Sequence, residues 1–455
     1  MKILLLSSYL VLCSIFAQAQ QINILKQTDK KAAIDSLCML LNTYYVSAEK
    51  ATQITNTLQT NLKNGSYDKL NNPNFFTDAI NATMRLMSQD KHLNLAFDPE
   101  GIKAQLKAET KVITTNESEN LQKYLTQIKR QSYGFKEIKM LEGNVGYLRI
   151  DDFFSPNYAA ETAIAALNFL SSSEAIIFDM RYNKGGDASM IQVIISQLYK
   201  KDTTIHLNSF YHRATNTTSE MFTIPNFKGN KMPEIPVYVL TSKETFSAAE
   251  ALAYDLQSLK RATIIGEVTA GGANAGNTAI VTQLFTLFLP SEKTINPITK
   301  TNWEVVGVVP DVITTANNAL EKAHIIALEN LVKSVKNIEN SNKNITNNSI
   351  NNKEKEMYQW TLDIVRAKQN LIQIPSEKLK YFVGVYGVRT LSIENNTLYY
   401  QRAGKPKIKL IPLNENTFVL STTPDIKIKM ISENNKITAI LMTYQDGGQD
   451  NYERN

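Results

Sequence analysis

The chain has 455 residues, with 49 lysines and arginines against 43 aspartates and glutamates, and its net charge of +6 is spread without a long basic block. Nothing in that distribution offers the concentrated positive face that nucleic acid requires, so no nucleic-acid partner is expected. Cysteine occurs twice, at 13 and 38, and no apolar run past the N-terminus reaches the ~20 residues of a membrane span; burial of apolar surface must therefore stabilise two or three domains.

Residues 1–19 combine Lys2, an apolar run from Ile3 to Phe16 and the small-x-small end Ala17-Gln18-Ala19. They read as an export leader cut before Gln20, which would deliver the chain to a periplasm or the exterior. Cys13 follows Leu12 rather than a small residue, and apolar residues continue after it, so a lipid anchor is not expected. From 20 to 97 apolar residues recur at helical spacing, as in Ile34, Leu37, Leu41 and Tyr45 and again in Phe76, Ile80, Met84 and Met87. This predicts a small helical domain, ending in a strand-like alternation over His92–Phe97.

A connector follows over 98–142, too short for a further domain of ninety residues. From 143 to 335 strand-like runs (Val145–Ile150, Ala175–Met180, Val237–Leu240, Thr263–Ile265) alternate with helical stretches near 157–171, 188–200, 247–260 and 318–335. That alternation predicts an α/β layer fold. Composition then changes: positions 336–352 hold eight asparagines and few apolar residues, so 336–356 reads as a flexible linker. The remainder, 357–455, predicts a short helix and an all-β domain of hairpins turned at Glu394-Asn395-Asn396, Asn414-Glu415-Asn416 and Glu433-Asn434-Asn435.

Two segments carry the candidate chemistry. Ser247 falls between the run Val237–Ser242 and the helical stretch from Ala248, so its hydroxyl projects from a sheet edge at a helix N-terminus. A serine there is either an ordinary N-cap or a nucleophile whose product oxyanion the free helix amides would bind. The second segment is the buried run Ile176–Asp179 followed by Arg181, Asn183, Gly185 and Gly186, a loop able to take positive φ and bring backbone N–H groups close to a ligand. Asp179, Arg181 and Glu250 are expected to hold loop and helix through buried ion pairs, with Glu267 as a further strut. No short His, Cys, Asp and Glu spacing of a zinc site occurs, so neither metal nor cofactor is expected.

Taken together, Asp179-x-Arg181-x-Asn183-x-Gly185-Gly186, Thr245-x-Ser247-x-x-Glu250 and Gly266-Glu267-x-Thr269-x-Gly271-Gly272 resemble the tail-specific, or C-terminal processing, peptidase superfamily. With Asp90-Lys91-His92, Lys260-Arg261-Ala262-Thr263 and Asn296–Asp311, the likeness is greatest to the branch containing the repeats of interphotoreceptor retinoid-binding protein. It runs from about 30 to 333. The resemblance implies a ClpP/crotonase-like core, a peptide or protein substrate, and a serine nucleophile at Ser247 with the amides of Gly186 and Ala248 as oxyanion hole, shaped by Gly185. It also exposes a departure, because Gly272, 25 residues after Ser247 (272 minus 247), stands where the Ser–Lys members carry their lysine.

The same superfamily contains members resembling the tricorn peptidase core, which use His and Glu instead. Their pattern implies His92 as base and Glu304 as its orienting carboxylate, Glu304 being read as a buried acid in an apolar strand beside Trp303. The expected function is thus an exported serine endopeptidase with a Ser-His-Glu triad. Two alternatives share the fold: a non-catalytic carrier of apolar ligands such as retinoids or fatty acids, and a peptide-binding pseudoenzyme. Oligomeric state is left open.

Overall fold

A computed structural model describes residues 24–109, 115–341, 345–369 and 372–455; the leader expected over 1–19 lies outside them. The helices are α1 (Gln27–Tyr44), α2 (Ala48–Lys63), α3 (Pro73–Ser88), α4 (Pro99–Glu109), α5 (Thr115–Arg130), α6 (Pro156–Leu170), α7 (Ser189–Gln197), α8 (Ala248–Ser258), α9 (Ala316–Ser341), α10 (Ile345–Gln369) and α11 (Ser376–Phe382). The strands preceding α9 are β1 (Asn94–Phe97), β2 (Phe135–Leu141), β3 (Val145–Ile150), β4 (Ala175–Asp179), β5 (His206–His212), β6 (Thr217–Phe222), β7 (Val237–Thr241), β8 (Ala262–Gly266), β9 (Ala275–Ile280), β10 (Phe285–Ile295) and β11 (Val312–Ile313). Eight more follow α11: β12 (Gly384–Tyr386), β13 (Arg389–Glu394), β14 (Thr397–Arg402), β15 (Ile408–Pro412), β16 (Thr417–Leu420), β17 (Ile426–Glu433), β18 (Lys436–Tyr444) and β19 (Gln449–Glu453).

The described residues divide into two compact units, one of those up to 109 with 276–291 and one of those from 115 to 275 with those from 292 onward. In the first, the helical stripes expected from sequence bury Ile34, Leu37 and Leu41 of α1, Ile54 and Leu58 of α2 and Phe76, Ile80 and Met84 of α3 in one core. Phe285, Leu287 and Leu289 complete that core, where β10 runs antiparallel to β1 with Leu95 opposite Leu287. The sequence placed 276–291 in the α/β core. Its apolar alternation instead serves the helical unit, a long-range choice that local pattern cannot express.

In the second unit a six-stranded sheet has the order β11-β8-β7-β4-β3-β2, parallel except for the β2–β3 pair. Alternate residues of its strands feed two cores. Leu148, Ile176, Phe178, Val239 and Ile264 face α6, α7 and α8, whereas Tyr147, Ile177, Leu240 and Ile265 face α9 and α10. Burial on both faces explains why β4 and β7 read as unbroken apolar runs. The fold is the expected α/β core with a helical front and a C-terminal all-β domain.

Residues 336–341 and 345–356, expected as a flexible linker, are helical, in α9 and α10, and the short helix expected near 357–370 is the end of α10. Apolar residues at either end decide this: Ala319, Ala323, Ala327 and Leu331 of α9 and Tyr358, Leu362 and Val365 of α10 share a core. Once those turns are fixed, propagation through asparagine costs only roughly 0.7 kcal/mol per residue.

The last eight strands form an antiparallel meander in sequence order. A bridge between Tyr386 and Arg454 brings its ends together, giving a nearly closed barrel around Leu391, Leu398, Tyr400, Phe418, Ile428 and Ile440. Ile411 and Val419 point outward and pack on Ile364 and Ala367 of α10.

Candidate active site

Parallel strands β4, β7 and β8 end side by side, with Asp179 opposite Leu240 and Thr241 opposite Gly266. The loops leaving their C-terminal ends are the usual seat of function in an open α/β sheet. They carry the Gly185-Gly186 turn, Ser247 and the segment 267–274. Hydrogen bonds between the loops fix them together: Thr245 Oγ1 donates to the Met180 carbonyl (2.9 Å), Phe246 N to the Asn183 carbonyl (3.1 Å) and Ala270 N to the Thr245 carbonyl (3.0 Å).

Ser247 sits at the N-cap of α8 with φ 55° and ψ −123°. A serine that only caps a helix takes extended backbone torsions. A non-glycine residue held at positive φ costs of order 1–3 kcal/mol and persists only where its surroundings over-determine it. Here the constraint comes chiefly from Glu250, one turn into α8. Its carboxylate accepts from Ser247 N (2.9 Å), Gly271 N (2.6 Å), Gly272 N (2.9 Å) and the Thr269 hydroxyl. Burial raises the Glu250 pKa, and those four donors oppose the rise. The ion pair expected for Glu250 is therefore corrected: its partners are backbone amides and one hydroxyl. Three amides and a hydroxyl can stabilise a buried carboxylate as a counter-ion would, because each donor places positive dipole on it.

The Gly-Gly turn packs directly on this serine. Gly185 has φ +102°, and a Cβ built there would lie 2.8 Å from Ser247 Cβ and 3.0 Å from Ala248 N. At Gly186, φ is +127° and a Cβ would meet the Phe153 carbonyl at 2.1 Å, so neither position tolerates a side chain. Asn183 shapes the turn by accepting from Gly185 N (2.8 Å) and donating to the Ile150 carbonyl (3.1 Å). Phe153 takes up the flanking groups, donating to the Gly185 carbonyl and accepting from Asp187 N. The amides of Gly186 and Ala248 have no hydrogen-bond partner among the described residues. Below the turn, Asp179 and Arg181 make the buried ion pair expected of them (2.6 Å), and the Tyr147 hydroxyl donates to Asp179 (2.7 Å).

Glu304 departs from its expected setting. It lies in a turn rather than a strand and is half-buried. Its Oε2 accepts from Ala273 N (2.6 Å) and Asn274 N (3.1 Å). The turn is stitched to the 269–274 segment by Trp303 Nε1 donating to the Gly272 carbonyl (2.8 Å) and Val305 N to the Gly271 carbonyl (3.0 Å). Gly272 thus lies between the two carboxylates, giving its N–H to Glu250 and its carbonyl to Trp303. Glu267 is half-buried and accepts weakly from Lys243 N at 3.3 Å.

His92 belongs to the first unit, whereas Ser247 and Glu304 belong to the second. It lies two residues before β1, its backbone N donates to Asp90 Oδ1 (3.0 Å), and its ring stacks on Phe288 with centroids 5.6 Å apart. Burial pushes the imidazole below its ordinary value, with Asp90 acting in the opposite direction. Asp90 is itself buried and accepts from the Tyr45 hydroxyl (3.2 Å), a support that a motif of neighbouring residues could not reveal. The other histidines have structural partners: His206 stacks on Phe222, His212 pairs with Glu292 at 3.5 Å, and His324 meets the Glu142 carbonyl at 2.7 Å.

The site is thus an α/β sandwich edge at which a strained serine begins a helix and packs against a Gly-Gly turn, with the amides of Gly186 and Ala248 unpartnered among the described residues. The family model described as Peptidase family S41 matches residues 144–314, and that described as the N-terminal domain of Peptidase S41 in eukaryotic IRBP matches residues 14–130. The chain carries both domains of the S41 peptidase family, as its resemblance to the tail-specific peptidases led us to expect. A carboxyl-terminal-processing protease of Synechocystis is 36% identical over 132 residues, which is 28% of this chain and 28% of that protein. Among solved structures, a peptidase described as putative from Parabacteroides merdae is similar at 16% identity and a TM-score of 0.46, covering 66% of this chain and 96% of that one. A photosystem II D1 C-terminal processing protease is similar at 15% identity and a TM-score of 0.42, covering 64% and 94%.

Proposed function

We propose that this chain is an exported serine peptidase in which Ser247 is the nucleophile, His92 the general base and Glu304 the carboxylate that orients His92. The observation that carries the reading is Ser247 at positive φ beside the unpartnered amides of Gly186 and Ala248. An N-cap has no need of such strain. A nucleophile does, since the torsion presents Oγ at the sheet edge.

In the proposed cycle Ser247 Oγ bonds to the scissile carbonyl carbon as its proton passes to neutral His92. The carbonyl oxygen becomes an oxyanion between the Gly186 and Ala248 N–H groups. Collapse breaks the C–N bond, His92 returns the proton to the departing amine, and water repeats the sequence to release the acid. The depressed His92 pKa keeps the base neutral, and the protonated intermediate gains its counter-charge from Glu304. Because Gly272 carries no side chain, no amine can be supplied from that position, which is why the base is sought at His92.

The reading is tested by labelling with a fluorophosphonate, which forms a covalent bond to an activated serine. Labelling of the wild-type chain and none of Ser247→Ala supports it. Absence of labelling with tight retinoid or fatty-acid binding would establish the carrier instead.

A further inference from the structure

The C-terminal barrel holds a charged cluster that the proposed chemistry does not use. Arg389 shares a face of β13 with the core residue Leu391, and the register places it directly opposite Arg402 of β14. Alternation then sets both arginines on the inner face, at the end bounded by turns 387–388, 403–407, 421–425 and 445–448. The other end is occupied by α11, whose Leu379 and Phe382 enter the core and whose Ser376 bonds Asn396.

Arg389 is only 8% exposed, and its Nε is fully buried. The Arg389 guanidinium has no hydrogen-bond or ion-pair partner among the described residues, and neither has that of the exposed Arg402. The Tyr452 ring supports the Arg389 guanidinium at 3.4 Å. Asp450 beside them accepts from the hydroxyls of Tyr452 (2.7 Å) and Tyr444 (2.9 Å) and pairs with neither arginine. Like charges set directly across a sheet weaken it, and a buried unpaired cation weakens it further. Asp450 supplies one negative charge near Arg389, and an anion bound between the two guanidinium groups would offset the repulsion that remains.

We propose that this mouth of the barrel binds a carboxylate, and specifically the free carboxylate end of a peptide. The guanidinium fork matches a planar carboxylate in two parallel hydrogen bonds. That the carboxylate belongs to a peptide rests on the peptidase reading.

The test uses the full chain carrying Ser247→Ala, titrated by calorimetry with acetylated hexa-alanine bearing either a free or an amidated C-terminus. The free acid is expected to bind at least about tenfold more tightly, and Arg389→Gln and Arg402→Gln should each weaken it by about ten- to a hundredfold. Equal binding of acid and amide overturns the proposal, as does undiminished binding by both variants. An amidated hexapeptide with one internal glutamate that binds as tightly as the free acid overturns the chain end as ligand. If Arg389→Gln does not fold, the exposed Arg402→Gln carries the same comparison. Binding here needs no turnover, so a chain that proves inactive leaves the result readable, and an active chain without carboxylate preference sinks this proposal alone.

Discussion

The Ser247 region and the C-terminal barrel both hold non-glycine residues at positive φ, for opposite reasons. In the barrel they are Asn395 and Asn396 (φ 48° and 57°) and Asn434 and Asn435 (φ 50° and 63°), pairs at two-residue hairpin turns. Asparagine tolerates that conformation and the turn twist demands it, so torsion and residue type agree. Around Ser247 they are a serine at 55° and, on the neighbouring turn, the β-branched Val305 at 69°. Those residue types resist the torsion, and bonds from distant segments impose it. The difference separates backbone geometry that sequence requests locally from geometry that the fold enforces at a site.

The strongest way to break that contrast is Ser247→Ala. Peptide hydrolysis should fall by at least about 10³-fold while thermal unfolding is unchanged, measured on a fluorogenic peptide and by calorimetry. Retained hydrolysis would return Ser247 to a capping role. Next, Gly185→Ala forces a Cβ against Ser247 and Ala248, and should lower kcat by roughly 10²-fold or more, as loss of an oxyanion donor does. Wild-type kcat there would show that the turn does not shape the site.

Glu250→Gln tests how the strain is held. Gln keeps one acceptor but exchanges a charged partner for a neutral one, so stability should drop by about 1–3 kcal/mol and activity with it. A stable, fully active variant would show that Ser247 keeps its torsion without this carboxylate. Acidity is the gentler probe. Burial disfavours the His92 imidazolium, so the folded pKa lies below the ordinary 6.5, and the acid limb of kcat/KM should have its midpoint below 6.5. The folded state binds fewer protons at this group, so its stability contribution is present above the unfolded value and is lost as pH falls through the depressed one. A limb above 6.5 would point to another base. Smallest of all, Asn396→Gly should change stability by no more than about 0.5–1 kcal/mol and leave hydrolysis untouched, since glycine takes the same turn.

Sequence made most of the elements legible where local chemistry and fold agreed. The stripes of α1 to α3, the buried runs of β4 and β7 and the asparagine turns of the barrel all carry their own signal. It failed where packing overrode composition, in the asparagine-rich ends of α9 and α10 and in the 276–291 segment claimed by the helical unit. In the site, Ser247, Gly185 and Gly186 stood out through the resemblance that their coupled motifs bear to the tail-specific peptidases, since a serine at such a junction is by itself as readily an N-cap and a Gly-Gly pair an ordinary turn. Glu250 was misread as an ion-pair member, and Glu304 was placed in a strand, because loop amides 21 to 31 residues away hold them.

By itself, then, the order of residues determined the helices of the front, the buried strands of the α/β core and the hairpin turns of the barrel, that a serine ends one loop and that position 272 offers no amine. The tertiary structure alone decided that Ser247 is held at positive φ, that one carboxylate ties it to Gly271 and Gly272, and that the amides of Gly186 and Ala248 stay unpartnered among the described residues. The physical reason is range: side-chain periodicity and turn chemistry act over a few residues, whereas strain and unsatisfied donors exist only once separate strand ends have been brought side by side.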